Sequence, residues 1–202
     1  MSEEHNQSLI VDEGDTVTLS INSERFNKLI RKVVPQSIAE VRKILGPSAR
    51  EKESISNYNT CCAPSELSSQ IISADDLESE NPEIRSKAKQ LAYFAAKHYV
   101  HAIDNKAVSH WETTLDRYIQ LSKTIINICY LSDIDVYNHG KLNIASNVQA
   151  LYARNIRLHG NGSILCNGPT TFNAASFEGN IMSKIRTRFN EDILAKSIKN
   201  KI

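Results

Sequence analysis

The apolar positions of this chain follow two periods, and one stretch repeats itself. CYLSDIDVYNHGKLNI (129–144) aligns with LYARNIRLHGNGSILC (151–166) at a constant offset of 22. Cys129 falls on Leu151, Tyr130 on Tyr152, Leu131 on Ala153, Ile134 on Ile156 and Val136 on Leu158. Gly140 falls on Gly162, Leu142 on Ile164 and Ile144 on Cys166. A partial third copy follows at an offset of 21, with Phe172, Ala174 and Phe177 where Leu151, Ala153 and Ile156 stood. Alternating apolar positions repeated every 20 to 25 residues predict short strands stacked coil on coil, with neighbouring strands about 4.8 Å apart.

The expected fold is therefore α+β, with a short parallel β-solenoid of about 2.5 coils of 21–22 residues, flanked by a helical hairpin and a C-terminal amphipathic helix. The pattern resembles the rungs of right-handed parallel β-helices in general. Ile134, Val136, Leu142, Ile156, Leu158, Ile164 and Phe177 are the expected inward, register-setting positions. Gly140 and Gly162 mark a corner that needs positive φ or close backbone approach. The same register stacks Asp135 on Arg157 and Arg157 on Glu178, a column of alternating charge. Asp133, Asn155 and Ser176 stack beside it.

Outside the repeat the chain is read in segments. Residues 1–47 form an N-terminal strand-helix segment. Val17, Leu19 and Ile21 alternate with Thr18 and Ser20, and Gly14-Asp15 is a turn signal within a strand pair over 9–21. Ser23 is expected to cap a helix with Phe26, Leu29, Ile30 and Val33 on one stripe; Ser37 and Glu40 have capping-box spacing for a second helix. Residues 48–80 read as a Ser-rich acidic linker, a solvated tether. Residues 81–128 read as the helical hairpin: Asn81-Pro82 opens its first helix, and Ser109 with Glu112 caps the second, which carries Leu115, Tyr118, Leu121 and Ile125. The solenoid occupies 129–180. Residues 181–202 read as a basic amphipathic helix whose Phe189, Leu194 and Ile198 form the expected interface.

Composition narrows the function. Lys+Arg 24 against Asp+Glu 23 leaves a net charge of +1, so the chain as a whole has no field for nucleic acid. No apolar run is long enough for a transmembrane segment. The opening MSEEHNQSLIVDEGD lacks a basic-then-apolar leader, so the expected location is cytoplasmic, with Cys61, Cys62, Cys129 and Cys166 reduced. His98, His101 and His110 are the closest approach to a metal set, but no carboxylate or cysteine at ligand spacing completes it. No nucleophile elbow, phosphate loop or dinucleotide fingerprint is present. No catalytic residue, metal or cofactor is expected.

A short coil stack leaves open edges that something must cover. The expectation is a non-catalytic structural or assembly protein whose partner is itself, in a homo-oligomer, filament or particle. The alternative is a carbohydrate-binding or carbohydrate-cleaving module with a glycan as partner. Cleavage fits poorly, because Asp135 and Glu178 are expected to pair with Arg157 and so to be held ionised.

Overall fold

The structure is a computed structural model and describes residues 7–46, 72–101, 106–168, 170–179 and 185–187. It is an α+β fold with mixed, curled sheet and three α-helices among the described residues. The described residues fall into two compact units, one from residues up to 33 with those from 125 on, the other from 34–124. The residues of the expected 1–47 segment are thus shared between the two.

In the first unit the strands are β1 (Leu9–Val11), β2 (Thr16–Leu19), β3 (Ile30–Val33), β4 (Ile126–Tyr130), β5 (Asp133–Val136), β6 (Lys141–Ile144), β7 (Ala150–Leu158), β8 (Ser163–Cys166), β9 (Thr171–Glu178) and β10 (Ile185–Thr187). Two sheets result, one ordered β1-β5-β7-β4-β3 with β9 on β7, the other β10-β8-β6-β2. Ile134 pairs with Ile156 and Asp135 with Arg157 in parallel, and Leu142 pairs with Ile164. Ile156 pairs in turn with Phe177. These are the partners that the repeat predicts.

The N-terminal strands join the same stack. Leu9 pairs with Ile134 and Val11 with Val136, while Val17 pairs with Leu142 and Leu19 with Ile144, all in parallel. The expected 9–21 strands are thus two sides of one turn of chain and not a hairpin. With β9 and β10 the described strands make four layers: β1/β2, β5/β6, β7/β8 and β9/β10. Leu9, Val11, Leu19, Ile134, Val136, Leu142, Ile144, Ile156, Leu158 and Ile164 point into one core, joined by Phe26.

Three expectations are overturned. The helix expected after Ser23 is only a 3-10 turn at Asn27–Leu29, followed by β3, which runs antiparallel to β4. Ile30, Val33 and Val34 are β-branched, and Pro35 forces Val34 away from the helical region, so this stretch gains more by pairing than by coiling. Ser109 does not cap the second hairpin helix. Lys106–Trp111 winds as a 3-10 helix, and the α-helix starts at Glu112 with no side-chain cap. The left-handed Lys123 ends it at Ser122, so Ile125 lies beyond the helix and is exposed. Finally, Ile185–Thr187 is strand, paired in parallel with β8, where a terminal helix was expected. The rest of that expected helix, with Phe189, Leu194 and Ile198, lies outside the described residues.

The second unit holds α1 (Ile38–Leu45), α2 (Pro82–His101) and α3 (Glu112–Ser122). Ser37 Oγ accepts the Glu40 amide at 3.2 Å, and the Glu40 carboxylate accepts the Gln36 amide at 2.7 Å, a capping box displaced by one residue. Asp116 of α3 accepts the Ile38 amide at 2.7 Å, adding a negative charge at the α1 N-terminus. Asn81 Oδ1 accepts the Glu83 amide and opens α2 as expected. Most of the expected linker lies outside the described residues. Its end, however, makes a 3-10 turn at Asp75–Glu78 that buries Leu77, with Glu78 paired to Arg117 at 2.6 Å.

Candidate functional site

The densest polar constellation of the first unit lies on the outward face of β5, β7 and β9. In a pleated strand the residues flanking an inward position point outward, so the column of the buried Ile134 and Ile156 and the exposed Phe177 carries a polar column on each side. One is Asp133, Asn155 and Ser176. Asn155 Nδ2 donates to Asp133 Oδ1, and Ser176 Oγ donates to Asn155 Oδ1 at 2.6 Å. The other is Asp135, Arg157 and Glu178. Arg157 donates to Asp135 at 2.8 Å, and lies 3.8 Å from the more exposed Glu178. A guanidinium nitrogen also reaches Asp133 at 3.4 Å, which ties the two columns together.

Two residues were missed in the sequence. His159 Nε2 lies 2.9 Å from Asp135 Oδ1, and its ring stacks on Tyr137 with centroids 4.6 Å apart and planes 10° apart. Tyr137 and His159 are 22 residues apart, so the repeat offset carried the signal, although nothing in the residue types marked the pair. The corner continues past them. Asn138 Oδ1 accepts the Asn161 amide and Asn138 Nδ2 donates to Glu13 at 3.1 Å. Glu13 lies 125 positions away from Asn138, and no local pattern announces that contact.

Gly140 and Gly162 sit at the next position of this corner. Their φ angles are not positive; the left-handed residues here are Gly14, His139 and Gly160. The two glycines serve close approach instead. A β-carbon on Gly162 would run into the Val136 and Tyr137 carbonyls, and one on Gly140 would sit 2.9 Å from the Asp12 and Tyr137 carbonyls.

Partial burial disfavours ionisation of Asp135, but hydrogen bonds from His159 and Arg157, with their charges, outweigh it and hold the carboxyl below its ordinary value. Such a group is a poor proton donor near neutrality. The donors and acceptors of the ladder are largely spent on each other, which suits holding register more than binding a reacting atom. Burial pushes the inward thiols of Cys129 and Cys166 up, to about 12 and about 11, so neither is a thiolate nucleophile at neutral pH. Cys61 and Cys62 lie outside the described residues.

His98 and His101 lie on α2, and His110 in the 3-10 turn before α3. Among the described residues no three His, Cys, Asp or Glu side chains gather where they could share a metal ion. Among the same residues no helix is long and apolar enough to cross a membrane. Searches against protein families, curated proteins and solved structures return no match for this chain.

Proposed function

We propose that this is a non-catalytic assembly protein whose first unit is a short β-solenoid that stacks end to end with further copies of itself. One observation carries the reading: the parallel layers stop at β1 and β2, and no described strand pairs on their outer side. Ile10, half exposed, stands beside that edge as the apolar terminus of the Asp135–Arg157–Glu178 column. A parallel edge of this cross-section fits the opposite end of the same stack better than any unrelated surface, and copies joined head to tail form rings or filaments.

The corner of the first layer carries Asp12, Glu13 and Asp15, a local negative charge at the edge where the next copy would dock. Chain mass by size-exclusion chromatography with light scattering tests the proposal. A multimer that dissociates on adding salt and in an Asp12→Lys, Asp15→Lys variant is expected. A monomer at every accessible concentration would overturn it.

Glycan binding is the second reading, favoured by the Tyr137–His159 stack beside a row of carboxylates and a guanidinium, a combination that can hold a sugar face and its hydroxyls. Retention of a polysaccharide that is lost in Tyr137→Ala would support it, and a glycan array without signal would remove it.

A further inference from the structure

The whole-chain charge of +1 hides a local excess. Residues 23–34 carry Arg25, Lys28, Arg31 and Lys32 against Glu24 alone, and all four cations are exposed. Among the described residues no carboxylate lies within ion-pair distance of any of them. The local fold sets them in a row. The chain winds tightly from Ser23 to Leu29, with the Phe26 and Asn27 amides donating to the Ser23 carbonyl and the Leu29 amide to the Phe26 carbonyl. At that pitch residues three apart lie one above the other, so Phe26 and Leu29 turn inward together while Arg25 and Lys28 share another side. Arg31 follows after three more residues, on the face of β3 opposite Ile30, which packs against the core. The Arg25 guanidinium lies over the Phe26 ring, 5.0 Å from its centroid, which anchors the start of the row.

Other roles fit this pattern less well. Lysine and arginine on an edge strand discourage strand addition, and β3 is the outermost strand of its sheet. That role calls only for Arg31 and Lys32, whereas Arg25 and Lys28 precede the strand. A lipid surface calls for apolar groups that enter it beside the charges, but Phe26, Leu29 and Ile30, which interleave with the cations, pack on the core. Single-stranded nucleic acid is held largely by aromatic stacking, and Phe26, the one aromatic residue of this stretch, is buried. What remains is positive charge in a line. Arg25 to Lys32 spans at most about 18 Å, at ~2.0 Å per residue of 3-10 turn and ~3.3 Å per residue of strand, the length of about five phosphates along one strand of a duplex. We propose that Arg25, Lys28, Arg31 and Lys32 form a contact surface for the phosphate backbone of duplex nucleic acid, without reading its base sequence. The surface belongs to a single chain and does not depend on end-to-end stacking.

Fluorescence anisotropy of a labelled DNA duplex titrated with the full chain tests it. Four phosphate contacts give a slope of log affinity against log salt of about −3.6, so binding should weaken roughly 150-fold between 50 and 200 mM salt. Arg31→Gln with Lys32→Gln, and Arg25→Gln with Lys28→Gln, which leaves the strand untouched, should each bring the slope to about −1.8 and weaken binding at low salt by at least about tenfold, equally for two duplexes of unrelated sequence. Lys87→Gln with Lys89→Gln, at exposed positions of α2, should change neither quantity. Light scattering counts the chains on each duplex, so the slope is read per chain and failure of stacking is not mistaken for failure of binding. No binding at low salt, a slope unaltered by both row variants, an equal loss in the α2 variant, a strong preference for one of the two sequences, or tighter binding to phosphatidylserine vesicles than to the duplex would overturn the proposal.

Discussion

Truncating Ile156 to alanine is the sharpest test of the stacked core. Its side chain is fully buried and is held between Ile134 on one layer and Phe177 on the next. The substitution removes three carbons, a transfer loss of about 2.4 kcal/mol at ~0.8 kcal/mol per buried methylene. The layers on either side are fixed by backbone hydrogen bonds, so the hole cannot close by local collapse. A residual cavity adds on the order of 1–2 kcal/mol, for a total of about 3–4 kcal/mol, within the usual range for Ile→Ala in a core. Urea unfolding followed by far-UV circular dichroism gives the free energy. Trp111 is the sole tryptophan and lies in the helical unit, so its fluorescence reports that unit separately. Ile125→Ala is the control: Ile125 is 53% exposed, and its loss should stay within about 0.5 kcal/mol. If Ile156→Ala cost no more than Ile125→Ala, the layered core would be refuted.

Three further outcomes are expected. Asp135 is held below its ordinary value in the fold, so its contribution is fully present above the unfolded aspartate value of about 3.9 and is lost as pH falls through the lower folded value. Asp135→Asn should therefore lower Tm at pH 6, with the gap to the parent protein narrowing as the pH falls below about 4. Gly162→Ala should cost roughly 1–3 kcal/mol in the same urea assay, because the added carbon meets backbone carbonyls that cannot swing aside; an unchanged midpoint would refute the close approach. Ser37→Ala removes the oxygen that accepts the Glu40 amide and should cost about 1 kcal/mol, read by Trp111 fluorescence and leaving the β-sheet transition in place.

The legible parts of this molecule were those with a local or repeating signal. Asp135 over Arg157, Asp133 beside Asn155 and Ile134 beside Ile156 followed from one constant offset, because parallel stacking converts a fixed sequence interval into a spatial neighbour. The caps at Ser37 and Asn81 were legible because a cap is decided within a few residues of the helix start. His159 was within reach of the same offset, but an imidazole opposite a tyrosine resembles no motif. The stretch after Ser23 misled because Phe26, Leu29, Ile30 and Val33 fit a helical stripe as well as they fit a turn followed by a strand.

By itself, then, the sequence determined the interval at which the chain returns to itself, which residues turn inward, and the order of charges along the outer column. Only the tertiary structure decided that Leu9–Val11 and Thr16–Leu19 form a layer of the same stack, and that Ile30–Val33 lies along β4. Those pairings join distant segments: Leu9 meets Ile134, Val17 meets Leu142 and Ile30 meets Cys129. A strand's alternation records that it has a buried face but not which distant strand supplies its hydrogen bonds. That choice is made by the edges left unpaired when the repeats come together.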